Sequence, residues 1–198
     1  MEITKSRMIF TNFRDEGMIY LVTSFMDIDL HKVIYSKQKL SDDHLKVIIY
    51  QMIRAVYTLH SANVIHRDLK PSNILANEDC EVKLCDFGLA RAVKDDEDTE
   101  DFTEYVVTRY YRAPEIMLSS HEYSKPVDIW GLGCTFAEMI TRSVLFKGSN
   151  YIEQVKIIFE KLGIEFMLKK EIFQKRKWDS LLIPMLKSLL HLFQKRQR

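Results

Sequence analysis

The 198-residue sequence has little of what marks a secreted, fibrous or membrane-spanning protein. It holds three cysteines, Cys80, Cys85 and Cys134, an odd and scattered set that suggests no disulfide framework and matches no zinc spacing. A reducing compartment, cytoplasmic or nuclear, is therefore expected. No apolar run approaches the ~20 residues of a membrane span. The start, Met1-Glu2-Ile3-Thr4-Lys5, lacks the apolar core of a signal peptide. An excess of one charge is also missing: 29 Lys and Arg stand against 28 Asp and Glu, a net +1. Neither nucleic acid nor a membrane surface is then an expected partner. With 6 glycines and 4 prolines the chain has no low-complexity segment, and it has no repeats. What remains is 46% hydrophobic and 29% charged, an ordinary globular composition. A chain of this length can bury roughly 70% of its unfolded surface, enough for one sizeable core. Charge is uneven only locally: residues 95–101 are acidic and residues 169–198 basic.

Hydrophobic spacing gives the elements. Met8-Ile9-Phe10 and Met18-Ile19-Tyr20-Leu21-Val22-Thr23 read as strands joined across Arg14-Asp15-Glu16-Gly17. Ser41 reads as an N-cap, with Asp42 and Asp43 suiting a helix N-terminus. Leu45, Ile48, Ile49, Met52, Ile53, Val56 and Leu59 then recur at helical spacing, predicting one apolar stripe on a long helix. Asn77-Glu78-Asp79-Cys80 is a turn between two short strands. Ser124-Lys125-Pro126 predicts a cap followed by Pro in the first turn. Residues 127–140 are apolar nearly all round, so that helix is expected to be buried. Asp128 is a lone acid near its start, and a buried carboxylate needs donors. Ser149-Asn150 predicts a further cap. Ile152, Val155, Ile158, Phe159 and Leu162 are expected on one face of the helix after it, and Gly163 ends it.

The chemistry lies in two polar segments. Val64-Ile65-His66-Arg67-Asp68-Leu69-Lys70-Pro71-Ser72-Asn73 offers a carboxylate, an ammonium and a carboxamide within six residues. Val82-Lys83-Leu84-Cys85-Asp86-Phe87-Gly88 offers a carboxylate at the end of an apolar run. Asn73 and Asp86 are hard oxygen donors of the kind Mg²⁺ takes beside phosphate oxygens. Asp68 is suited to accept a hydroxyl proton, and Lys70 to neutralise a transferring phosphoryl group.

The first run resembles the catalytic loop of eukaryotic protein kinases, His-Arg-Asp-Leu-Lys-Pro-x-Asn, and the second resembles their Asp-Phe-Gly metal-binding motif. Ala113-Pro114-Glu115 follows in the expected order. Between them stands Thr103-Glu104-Tyr105. Thr-x-Tyr there resembles the mitogen-activated protein kinases, and Thr-Glu-Tyr their extracellular-signal-regulated branch. The resemblance covers roughly residues 15 to 163. It implies an α+β, protein-kinase-like fold, mainly the helical C-terminal lobe with a remnant of the N-lobe sheet. Residues 1–26 would be that remnant and the hinge, residues 27–163 the C-lobe, and residues 164–198 a divergent basic helical tail. The tail would cover the lower core or bind a partner. No Gly-rich phosphate loop and no Val-Ala-x-Lys strand occurs in the sequence.

Residue by residue, the resemblance implies that Asp68, Lys70 and Asn73 are catalytic and that Asn73 and Asp86 hold Mg²⁺. Thr23, Ser24, Met26, Asp29, Leu75 and Cys85 would line the ATP site. Thr103 and Tyr105 would be activating phosphosites, with Arg67, Arg91, Arg109 and Arg112 as candidate phosphate partners. The segment from Val107 to Arg112 would form the pocket that accepts Pro after the target residue, with Val107 and Thr108 in it and Thr108 bonding Asp68 and Lys70. Tyr110 stands where many members have Trp. Glu78 and Asp79 would bind basic docking peptides or form an ordinary charged turn. Asp128 would hold the catalytic loop through amides near His66 and Arg67. The implied activity is a proline-directed Ser/Thr kinase using ATP and Mg²⁺ and acting in intracellular signalling. Its implied partners are protein substrates with Ser/Thr-Pro sites, an upstream dual-specificity MAP kinase kinase and phosphatases, and it would act as a monomer. The alternative is a non-catalytic lobe that serves as a binding or decoy module for those partners.

Overall fold

A computed structural model describes residues 9–11, 20–92, 109–118 and 124–163. Thr103, Tyr105, Val107, Thr108 and the basic tail at 164–198 lie outside the described residues.

Among the described residues short antiparallel strands form three small sheets. Strands β1 (Ile9–Thr11) and β2 (Tyr20–Val22) pair with Phe10 opposite Leu21. Strand β3 (Ile28–Asp29) pairs with β5 (Ile74–Ala76), which also pairs with β6 (Val82–Leu84). Strand β4 (Val64–Ile65) pairs with β7 (Arg91–Ala92), setting Ile65 opposite Arg91. Helices α1 (Leu30–Tyr35), α2 (Asp42–Ser61), α3 (Pro114–Leu118), α4 (Pro126–Thr141) and α5 (Tyr151–Leu162) complete the α+β architecture. Among the described residues no helix is long and apolar enough to cross a membrane. The three cysteines are free.

Helix α4 organises the core because both of its sides are apolar. Leu132, Met139 and Ile140 pack with Leu30 and Ile34 of α1, Leu45, Ile48, Met52 and Val56 of α2, and Leu69 and Ile74. Val127, Trp130 and Cys134 face a second cluster with Ile65, Ala113, Met117, Phe146 and Ile158. Trp130 stacks on Phe146 at 5.4 Å between ring centroids. Polar loops on both sides are thereby fixed against one buried helix.

Helix α2 starts as its sequence dictates. The Ser41 hydroxyl accepts the His44 amide at 3.2 Å, and the His44 ring accepts the Ser41 amide at 3.2 Å. The predicted stripe is narrower than expected: Leu45, Ile48, Met52 and Val56 are buried, whereas Ile53 is exposed. Eight residues after Leu45, Ile53 has rotated about 80° off the buried line. The start of α4 also departs from expectation. Lys125, not Ser124, is the flanking residue and no side chain caps the helix. The backbone closes that turn instead, Val127 N to Ser124 O at 3.1 Å. On α5, Ile152 is exposed, and the buried positions are Gln154 and Ile158. Gln154 spends its amide on the loop before α5: it accepts from Gly148 N at 2.8 Å and donates to Phe146 O at 3.1 Å.

Asn150 caps α5 by accepting the Glu153 amide at 2.9 Å. Glu153 in turn accepts from the amide and hydroxyl of Ser149, bonds that hold its carboxyl below the usual range. Asn150→Ala is expected to lower stability by about 1 kcal/mol. Urea denaturation at unchanged m-value checks it; an unshifted midpoint would mean the cap contributes nothing.

Candidate active site

The polar loop from His66 to Asn73 runs over α4, and Asp128 fixes it from beneath. This carboxylate, 1% exposed, accepts the His66 amide on Oδ2 and the Arg67 amide on Oδ1, each at 2.8 Å. Nε2 of His60, from the last turn of α2, donates to the same Oδ2 at 2.8 Å. Arg67 sits at φ 71, a left-handed conformation that costs a bulky residue about 1–3 kcal/mol. Its amide bond to Asp128 keeps it there. His66 is fully buried: its Nε2 donates to Cys85 O at 3.1 Å, and Nδ1 accepts the Asp68 amide at 3.4 Å. Those two bonds fit a ring that donates from Nε2. The ring also lies 5.0 Å from that of Phe87, so one imidazole links the two polar segments.

The side chains of Asp68, Lys70 and Asn73 converge above this base. Asp68 Oδ2 accepts from Lys70 Nζ at 2.7 Å and from Asn73 Nδ2 at 2.8 Å. The Asn73 carboxamide also donates to Asp68 O at 2.9 Å. Its two donor bonds are therefore both made to Asp68, and its oxygen is left as an acceptor. Asp68 Oδ1 likewise accepts no hydrogen bond among the described residues. The 3-10 turn Pro71–Asn73 places Asn73 just before β5. Cys85 N donates to Asn73 O at 3.0 Å, which extends the β5–β6 ladder by one pair. Asp86 comes next, at φ 60 and ψ 72, its carboxylate accepting the Gly88 amide at 3.3 Å.

Asn73 thus stands opposite Cys85, the residue just before Asp86, and both Asn73 and Asp86 have oxygen to offer. Among the described residues no group of three or more His, Cys, Asp or Glu could hold a metal by itself. A two-donor oxygen set suits Mg²⁺, which keeps water and phosphate oxygens in its shell, and does not suit zinc. The residues present therefore fit the implied ion.

The residues expected on the nucleotide side are spread along β2–β3 and β5–β6. Thr23 and Ser24 are exposed and Met26 is half-buried. Lys83 Nζ donates to Ser24 Oγ at 2.7 Å, tying the segment after β2 to β6. Asp29 lies opposite Leu75 in the β3–β5 register, and it also caps α1 by accepting the Lys32 amide at 2.9 Å. Burial pushes the Asp29 carboxyl upward, but the Lys32 amide and ammonium together outweigh it, and its pKa falls. Burial raises the Cys85 thiol, with the Asp86 charge adding to it.

The four candidate arginines divide. Arg91 lies opposite Ile65 in the β4–β7 pair, and Arg67 follows two residues after the end of β4. Arg109 donates to Ser149 O at 3.2 Å, next to the start of α5. Arg112 is half-buried, its amide closing the turn to Arg109 O at 3.1 Å. Glu78 and Asp79 are exposed in the β5–β6 turn, which Gln51 of α2 braces through Cys80 O at 2.7 Å and Val82 N at 3.0 Å.

Sequence reasoning missed three positions that matter to this geometry: His60, Lys83 and Gly131. His60 meets Asp128 across 68 residues, and no local pattern signals that. Gly131, one turn after Asp128, lets α4 approach the Leu69 carbonyl closely.

A family model described as the protein kinase domain matches residues 4–198. The chain is 52% identical over 145 residues to mitogen-activated protein kinase 5 of Arabidopsis thaliana, covering 73% of this chain and 38% of that protein. It is 54% identical over 145 residues to extracellular signal-regulated kinase 1 of Dictyostelium discoideum, covering 73% and 27%. With a mitogen-activated protein kinase of Fusarium vanettenii the identity is 48% over 168 residues, covering 84% and 46%. The chain spans less than half the length of these curated relatives. Site geometry, family match and relatives agree: the chain belongs to the protein kinase family, and within it to the mitogen-activated protein kinases.

Proposed function

We propose that this chain carries the substrate side and the metal side of a proline-directed Ser/Thr kinase site. The observation that supports it is the division of labour on Asp68. Oδ2 is held by Lys70 and Asn73, which fixes the carboxylate, while Oδ1, which accepts nothing from the described residues, is proposed to accept a hydroxyl proton. A base must lie within hydrogen-bond reach of the proton it takes, and a fixed carboxylate with one oxygen not bonded by the described residues is suited to that role. Lys70, paired with Asp68, would set a cation beside the developing phosphoryl charge. Asn73 and Asp86 would hold Mg²⁺, which when bound neutralises phosphate charge. Thr103 and Tyr105 are proposed as activating sites for an upstream dual-specificity kinase. Val107 and Thr108 are proposed to border the pocket for the residue after the target. Glu78 and Asp79 are proposed to bind basic docking peptides. The working compartment is proposed to be the cytosol, the nucleus or both.

The test is Mg²⁺-ATP binding by calorimetry, with Asp86→Asn beside the unaltered chain. Asp86→Asn is expected to weaken binding at least about tenfold, the scale of one lost charged contact. Transfer to a Ser-Pro peptide is then assayed after phosphorylation of Thr103 and Tyr105. A folded chain that binds no Mg²⁺-ATP would sink catalysis by this chain and leave the binding-module reading.

A further inference from the structure

Glu138 lies on α4 with no exposed surface, and both of its oxygens are used. Tyr35, the last residue of α1, donates its hydroxyl to Oε1 at 2.9 Å. Tyr111, in the 3-10 turn Arg109–Tyr111, donates to Oε2 at 2.7 Å. A buried carboxylate depends on its donors, and each phenol supplies one to a different oxygen. Tyr35 is 47% exposed, so burial of the ring is not what fixes it: its tip reaches inward to the acid while one face stays wet. Burial, reinforced by Glu138, pushes the Tyr35 phenol up to about 12 and raises that of Tyr111 as well, so both remain donors at neutral pH.

The turn held at the other end leads through Arg112 into Ala113 and α3. The segment before Ala113 is the part of the chain read above as bordering the substrate. We propose that Tyr35 is a positioning residue for that segment: through Glu138 it fixes Tyr111, and with Tyr111 the turn at the substrate side of the site. The link to substrate rests on the kinase reading; the link to the turn does not.

The experiment is hydrogen exchange on the intact 198-residue chain and on Tyr35→Phe, which keeps the ring and its 4.7 Å contact with His31 but removes the hydroxyl. The amides of Arg112, Ile116 and Met117, 77 or more positions away, are expected to exchange at least about tenfold faster, with those of Met52 and Val56 unchanged. Unchanged exchange at 112–117, or an equal rise throughout α2, would overturn the proposal. In the dually phosphorylated chain Tyr35→Phe is expected to raise KM for a Ser-Pro peptide several-fold with kcat nearly constant. Faster exchange without a KM change in an active chain would overturn the substrate role. Faster exchange in a chain that phosphorylates nothing would establish the strut and sink the kinase reading instead.

Discussion

Replacing Asp128 by Ala is expected to lower the unfolding free energy by about 3–5 kcal/mol, the range for breaking a buried charged cluster from one side. Three donors converge on this carboxylate at 2.8 Å: the amides of His66 and Arg67, and Nε2 of His60. Ala leaves all three facing a void at a position only 1% exposed. The Arg67 conformation then loses the bond that holds it at φ 71, so some of its strain is released by moving the loop. That motion is the functional part of the prediction, because Asp68 and Lys70 follow directly. Asp128→Asn separates charge from shape. One oxygen survives to accept one amide, while the new NH₂ opposes another donor, so a smaller loss of about 2–3 kcal/mol is expected. Urea denaturation followed by far-ultraviolet circular dichroism, read as a midpoint shift at constant m-value, measures both. A loss below about 1 kcal/mol for Asp128→Ala would show that water or a shifted loop satisfies these donors at little cost.

What the sequence made legible was whatever depends on neighbours along the chain. Ser41 and the run from Leu45 to Val56 specify α2, because cap and stripe fall within a few turns of each other. That Asp128 would need donors followed from its place on an apolar helix; which donors did not, since they lie 61 to 68 residues away. Helices α1 and α3, of 6 and 5 residues, are too short to show a helical period. Strands β3, β4 and β7 have two residues each, below any alternation. Ile53 and Ile152 are errors of another kind. Both fit a generous apolar stripe, yet both are exposed, because hydrophobicity alone does not say how wide the buried face is. The Tyr35–Glu138–Tyr111 bridge joins three elements far apart in sequence and left no local trace at all.

The tightest demand the site makes on α4 is at Gly131, and Gly131→Ala tests it by the sign of its effect. At an ordinary exposed helix position this change stabilises by about 1 kcal/mol, since Ala is the better helix former. Here a Cβ would stand 2.7 Å from Leu69 O and 3.0 Å from Leu69 Cβ. The obstructing atom is backbone, so no side-chain rotamer can relieve the contact. Leu69 is 4% exposed and lies between Asp68 and Lys70, in a loop that Asp128 holds one helical turn away. Helix and loop must therefore separate against the bonds that fix them. Overpacking of this kind costs roughly 1–3 kcal/mol, and the rigidity of both partners favours the upper end. Subtracting the propensity gain leaves a net loss of about 2 kcal/mol. The same separation lifts the Asp68–Lys70–Asn73 triangle off its base, so weaker Mg²⁺-ATP binding should accompany the loss of stability. Thermal or urea unfolding decides the first point and calorimetry the second. A Gly131→Ala chain as stable as the unaltered one would mean that the loop yields freely. The close approach of α4 would then not be what positions the Asp68 carboxylate.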